Sequence, residues 1–288
     1  MQGQSAQEIV ARPPAEHGDL AVNCPPYPVR DIEWPTVTLG VGLFGVWIAS
    51  IAVYFLWTKG TPWALASSVI NMLVTYFGFT LMHEASHYNI SRKHRTMNDL
   101  FGYLSGLWLH GSYRQFVPIH MKHHAFTNVH TQDPDCFTAG SNGPVSVLKW
   151  CLALWFYFRY FLKFEIYKKV ANKSGIFVPY LMVYLFYVAA LIWNFEKAAF
   201  LLYFLPSFMG AAIIILLFDY LPHHPHQATG RSTNSQTIVA KGWCFATMMQ
   251  SHHVVHHAWP SVPWWRYRQI YRQTREAFLR TGHKESSF

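Results

Sequence analysis

Eight of the chain's 17 histidines fall into three short clusters, His83-Glu84-Ala85-Ser86-His87, His120-Met121-Lys122-His123-His124 and His253-Val254-Val255-His256-His257. A helix turns about 100° per residue, so partners at i and i+4 project within about 40° of each other and partners at i and i+3 within about 60°. Each cluster can therefore aim its imidazoles at one point. Imidazole is a borderline ligand suited to iron, zinc or copper, and a single ion rarely takes more than four. Eight convergent histidines, His83, His87, His120, His123, His124, His253, His256 and His257, accordingly imply two metal ions. His252 lies about 100° out of phase with His253 and reads as a neighbour. A ninth imidazole, His223, follows Asp219 by four residues, and Asp219 could orient a ligand or a metal-bound water. Pro222 between them is a residue that breaks helices and so stands against a shared helix face.

Two rival chemistries use some of the same residues. His83-Glu84-Ala85-Ser86-His87 reads as H-E-x-x-H, the zinc-protease pattern in which the glutamate is general base, and an intramembrane zinc metalloprotease is the alternative from a different class. Two further H-x-x-H-H strings have no task in a zinc hydrolase. Haem is the other rival, but axial histidines are expected midway along facing helices, and these clusters sit at the ends of apolar segments.

The elements that must carry these clusters are membrane helices. Of the sequence, 51% is hydrophobic, and four blocks, 37–57, 63–82, 176–193 and 198–218, contain no Lys, Arg, Asp or Glu. Each is close to the ~20 residues that cross a ~30 Å hydrocarbon core. Short links at 58–62 and 194–197 predict two helical hairpins, each returning to the side it left. Only Lys59 and Lys197 of the 23 Lys and Arg lie in those links, so the positive-inside rule puts the other side, with both termini and the histidines, in the cytoplasm. The expected architecture is an all-α integral membrane protein: an extended or disordered tail over 1–36, a transmembrane hairpin over 37–83, a cytoplasmic and interfacial segment over 84–175, a second hairpin over 176–218, and a cytoplasmic helical cap over 219–288 that completes a histidine-rich di-metal site.

Within 84–175, residues 100–117 contain Gly102, Gly106, Gly111 and Arg114 and suit a re-entrant or interfacial segment. Residues 145–164 carry Lys149, Arg159 and Lys163 among aromatics and suit a helix lying in the interface. If only one of the two crossed the bilayer, the three clusters could not share a face. Residues 264–284 are arginine-rich, with Tyr267, Ile270, Tyr271, Thr274 and Phe278 near helical spacing, as in a surface helix over the cap. Nothing at the start resembles a signal peptide. Cys24, Cys136, Cys151 and Cys244 form neither a C-x-x-C pair nor an iron–sulfur spacing. No G-x-G-x-x-G follows a strand, so the chain has no evident redox cofactor beyond the metals, and electrons must come from another protein. The net charge of +9 fits either a lipid-facing rim or a docking face for an acidic protein, and no nucleic-acid partner is expected.

The order H-x-x-x-H, H-x-x-H-H, H-x-x-H-H, split by two hairpins, resembles the membrane fatty acid desaturase and hydroxylase superfamily. The string from His120 to His124 with Asn128 and Asp133-Pro134-Asp135, then Phe218-Asp219-Tyr220-Leu221-Pro222-His223, then His253 to Pro260, is most similar to the desaturase-type bacterial beta-carotene hydroxylases, over about residues 81–271. The resemblance implies a non-haem di-iron centre that takes dioxygen and two electrons and breaks an unactivated C–H bond. The eight box histidines would be ligands, with His223 added and Asp219 acting through water. Glu84, Asp133 and Asp135 are further acids expected around the ligands. The expected substrate is a carotenoid ring, hydroxylated at its 3-position, and an acyl-lipid desaturase or hydroxylase is the nearest competitor. The expected donor is a ferredoxin-like acidic protein docking on Arg92-Lys93-His94-Arg95 or on the Arg266 to Arg280 face. Glu84 departs from the subgroup, whose first box usually carries Asp there.

Overall fold

A computed structural model describes residues 22–140, 143–171 and 173–287. The chain is mostly helical. Its main elements are α1 (Trp34–Thr58), α2 (Ala64–Ser86), α3 (Arg95–Trp108), α4 (Tyr113–Phe126), α5 (Pro144–Cys151), α6 (Ala153–Lys163), α7 (Ser174–Ile192), α8 (Glu196–His223), α9 (His253–Ala258) and α10 (Tyr267–Arg280). Two short strands, Thr237–Ile238 and Glu285–Ser286, pair in parallel. Four helices, α1, α2, α7 and α8, are long and apolar enough to cross a membrane. The first begins at Trp34, three residues before the apolar block, because Pro35 starts a helix well, its missing N–H being one of the unpaired donors of a first turn.

The described residues form two compact units. One comprises residues 31–116 and 171–214. In it α2 is central, packed against α1, α3 and the 205–214 part of α8. Gly78 of α2 lets the Trp108 ring lie against the helix backbone, since a Cβ there would stand 2.4 Å from Trp108 Cε3. A polar clasp joins three helices: Ser50 Oγ donates to Asn71 Oδ1, and Asn71 Nδ2 donates to the Leu202 carbonyl at 2.9 Å. Leu202 lies in a π turn over Phe200–Phe204. Such turns add a residue to a helix and redirect its carbonyls. The outward faces of α1 and α7 are apolar side chains such as Phe44, Ile48, Leu181 and Leu185, as a lipid-facing surface requires. Residues 100–117 form the end of α3, a tight turn and the start of α4, with the Gly111 N–H donating to the Gly106 carbonyl at 2.9 Å.

The other unit comprises residues up to Arg30, Val117–Val170 and Ile215–Phe288. The apolar stripe of α10 explains its core: Tyr267, Ile270, Tyr271 and Phe278 recur at helical spacing and bury against Val254, Val255 and Ala258 of α9. Val22 joins this cluster, Cys24 and Tyr27 pack against it and Tyr27 donates a hydrogen bond to the Ser261 carbonyl, so the extended segment 22–27 is held down while Pro28, Val29 and Arg30 are exposed. The remainder of the expected tail, 1–21, lies outside the described residues. Residues 145–164 are two helices, α5 and α6, bent by 64° at Leu152.

Candidate metal centre

Four imidazoles meet in the second unit. His123 comes from the last turn of α4, His223 from the end of α8, and His253 and His257 from α9. One ligand atom from each lies within 4.8 Å of the other three, and all four residues are buried. Metal–nitrogen bonds of about 2.1 Å let a single ion bridge such a span.

Which nitrogen faces the centre is decided by what holds the other. His123 Nδ1 stands 2.9 Å from Asp133 Oδ1 and 3.0 Å from Asp135 Oδ2. His223 Nδ1 donates to the Asn234 carbonyl at 2.9 Å, and His253 Nδ1 to Gln250 Oε1 at 2.6 Å. Each of those acceptors fixes a proton on Nδ1 and leaves the Nε2 lone pair turned inward. His257 Nε2 accordingly sits 3.3 Å from His123 Nε2 and 3.1 Å from His253 Nε2, while His223 Nε2 is buried with no hydrogen-bond partner. Lone pairs converging at these distances in a buried site can be satisfied together by a cation among them, and neutral imidazole is a donor that iron, zinc and copper accept. The residues therefore fit a metal ion.

Burial favours the neutral form of His257, reinforced by the neighbouring histidines, and its pKa lies well below the usual value. Burial acts the same way on His123, but Asp133 and Asp135 outweigh it and raise that pKa well above the usual value. Local geometry explains the pair of carboxylates. Asp133 begins a short 3-10 turn over Pro134–Thr138, its Oδ1 accepting from the Asp135 N–H at 3.0 Å. Its Oδ2 accepts the Asn128 N–H at 2.6 Å, closing the loop that follows α4. Asp133 and Asp135 thus orient a histidine.

A second group in the same unit is His120, His124 and His256. The Nε2 atoms of His120 and His124 are 3.1 Å apart, and the His256 ring centroid lies 5.6 Å from that of His120 and 4.5 Å from that of His124. His256 Nδ1 faces the Tyr267 hydroxyl at 3.0 Å. His83 and His87 belong to the other unit. They leave the end of α2 with ring centroids 5.7 Å apart, and Glu84 Oε1 lies 3.5 Å from His83 Nδ1. Asp219 is buried in the last turns of α8, and neither of its oxygens bonds to a histidine. His224 is exposed, and His226 is buried with its ring 6.4 Å from that of His223.

Sequence reasoning missed Thr127, Asn234, Gln250 and Tyr267, the residues that hold the ligands' outer nitrogens. Gln250 stands one helical turn before His253 and Thr127 one turn after His123, so their spacing was a usable signal. Arg266 corrects the expected docking face: it is 5% exposed, stacked over Trp265 with its guanidinium 4.1 Å from the ring centroid, and does not belong to the surface of α10.

Four helices long and apolar enough to cross a membrane and a buried imidazole cluster that fits a metal ion suit the class of membrane proteins with a metal centre. The chain belongs to the fatty acid desaturase family, whose model matches residues 60–288. Among its relatives are a zeaxanthin 4-ketolase of Chlamydomonas reinhardtii, 26% identical over 276 residues, and a beta-carotene ketolase of a Paracoccus species, 27% identical over 251 residues. A beta-carotene ketolase of Haematococcus lacustris is 26% identical over 226 residues. These alignments cover 85%, 83% and 70% of the chain. The chain spans 93% of the Paracoccus relative but only 55% and 60% of the two algal ones. The family thus sets the first histidine cluster apart from a zinc protease, and the relatives are carotenoid-modifying enzymes.

Proposed function

We propose that this protein is a di-iron membrane oxygenase that oxidises a ring methylene of a cyclic carotenoid. The observation that carries the reading is the buried four-imidazole cluster in a chain whose relatives are carotenoid ketolases. His123, His223, His253 and His257 would hold one iron, and His120, His124 and His256 would help to hold a second; His83 and His87 are also proposed as iron ligands. The irons would supply activation of dioxygen for C–H cleavage. The chain's own contribution is to fix the direction of the imidazoles through Asp133, Asp135, Asn234 and Gln250, and to exclude water from them.

One round of oxidation turns the methylene into an alcohol, consuming one dioxygen, two electrons and two protons and releasing one water. A second round at the same carbon gives a geminal diol, which loses water to leave a ketone. The named activities of the relatives favour the ketone as end product; hydroxylation alone at the same carbon is the first half of that sequence, whereas hydroxylation at the expected 3-position acts on a different carbon from the one a 4-ketolase oxidises. An acyl-lipid substrate is the second reading, favoured by the family's description. Expression in a host that accumulates beta-carotene separates them. Hydroxylated or keto pigments support the carotenoid reading, whereas unchanged pigments with altered acyl chains assign the enzyme to lipids.

The donor would be a ferredoxin-like acidic protein meeting the exposed Arg92, Lys93 and Arg95 or the exposed Arg272 and Arg280 of α10. Glutamine at these positions should slow reduction without changing iron content, and reduction insensitive to both substitution and salt removes this partner. With Lys59 and Lys197 isolated in the short links, the histidines and both termini would face the cytoplasm. Impermeant thiol labelling of single cysteines placed at 59 and 197 reads that sidedness.

A further inference from the structure

Asn234 touches two of the four clustered imidazoles, one through its backbone and one through its side chain. Its carbonyl accepts the His223 Nδ1–H at 2.9 Å, and its side-chain amide stands 3.3 Å from His257 Nδ1. The same carbonyl accepts a hydrogen from Asn128 Nδ2 at 2.8 Å, and Asn128 Nδ2 also donates to the Ala228 carbonyl at 2.6 Å. Asn128 can do this because its backbone is left-handed, with φ +64, a conformation asparagine tolerates. Its own N–H donates to Asp133, the residue that holds His123. One network therefore reaches three of the four ligands. The segment carrying Asn234 is fastened independently to the end of α8, where the Gln236 N–H donates to the Pro222 carbonyl at 2.7 Å and Gln236 Nε2 to the Leu221 carbonyl at 2.8 Å.

The side chain of Asn234 adds a chemical argument. Nδ2 is the end nearest His257, and Oδ1 is buried without a partner. An amide donor at Nδ1 would force the imidazole proton onto Nε2, where it would point at His253 Nε2, 3.1 Å away, and could not leave a lone pair for an ion. A half-turn of the amide brings Oδ1 to Nδ1 and reverses the tautomer. Thr127 Oγ1, 3.4 Å from the same Nδ1, already gives its proton to the His123 carbonyl at 2.8 Å, so it too can only accept there.

We infer that Asn234 is a positioning residue of the metal centre, its carbonyl holding His223 and its amide oxygen holding His257 so that both turn Nε2 to the same ion. The inference rests on the proposal that these imidazoles bind iron. Asparagine is needed for acceptance and not for size, so an aspartate should replace it and a leucine of equal volume should not.

The test measures iron per chain and Mössbauer doublets in the purified full-length protein and its variants. The wild type should carry both irons. Asn234→Leu should hold one of them about 10- to 100-fold more weakly and lose one doublet, while Asn234→Asp keeps both. Asn128→Asp preserves shape and backbone but cannot donate to the two carbonyls, and should lose the same doublet; it keeps the test alive should the leucine variant not fold. Full iron in Asn234→Leu or Asn128→Asp overturns the inference, as does equal loss in Asn234→Leu and Asn234→Asp. A wild type without bound iron removes the proposed function itself.

Discussion

The Nε2 atoms of His123 and His257 face each other across 3.3 Å, although the residues are 134 positions apart in sequence. Both rings are almost fully buried, and the Asp133 and Asp135 carboxylates occupy the far side of His123. A cation between the rings would relieve the opposition of their lone pairs. Alanine at His257 should therefore abolish iron at this position and lower turnover by at least about 100-fold, with His256→Ala doing the same for the other group. Iron analysis and pigment conversion on the same preparation check this, and full activity in either variant removes that residue from the ligands.

The carboxylates behind His123 make a separate prediction. Asp133→Asn retains an oxygen for the Asn128 N–H but no negative charge opposite the imidazole, so metal affinity should drop about 10- to 100-fold with little loss of fold. Competition with a chelator measures it. An unchanged midpoint would mean that Asp133 serves only the turn over Pro134–Thr138.

Acid sensitivity is expected from His283. Burial pushes its pKa down to about 4 from 6.5, and its Nε2 lies 2.9 Å from Thr237 Oγ1 beside the two paired strands. The neutral ring is the one that fits, so its stabilising contribution is complete above about pH 6.5 and is lost as the pH falls toward 4, by up to about 3 kcal/mol. Melting temperatures between pH 7 and pH 4.5 should fall less steeply for His283→Gln than for the wild type. Parallel curves would refute the assignment.

Two glycines of the membrane helices should respond oppositely to alanine. At Gly78 the added carbon meets Trp108, which is 2% exposed and has nowhere to move, and stability should drop by about 1–3 kcal/mol. Gly42 has nothing within 4 Å of such a carbon, and alanine there should be neutral or stabilise by up to about 1 kcal/mol. Unfolding in detergent compares the two variants directly.

The long charge-free apolar blocks of the chain made the four long helices legible, because a membrane leaves almost no freedom in where a block of that length can lie. Histidine spacing was equally plain, since His120 with His124 and His253 with His257 are neighbours on a helix face whatever surrounds them. The partners at Nδ1 were not. Asn234 acts on His223 through a carbonyl that every residue possesses, and Tyr267 reaches His256 only because α9 and α10 pack together. The two aspartates were noticed as acids, but their role depends on the turn at Pro134, which directs both carboxylates at one nitrogen. Arg266 looked like surface charge because the aromatic residues that bury it include Tyr27, far away in sequence.

The clasp of Ser50, Asn71 and the Leu202 carbonyl has a consequence for biosynthesis. Asn71 is made early, yet one of its two partners belongs to the last long helix to leave the ribosome. Until that helix arrives, an amide waits in hydrocarbon with half its bonding unfilled, a state that membrane quality control can detect. Nascent chains arrested before residue 202 should therefore be degraded faster than the same chains carrying Asn71→Leu.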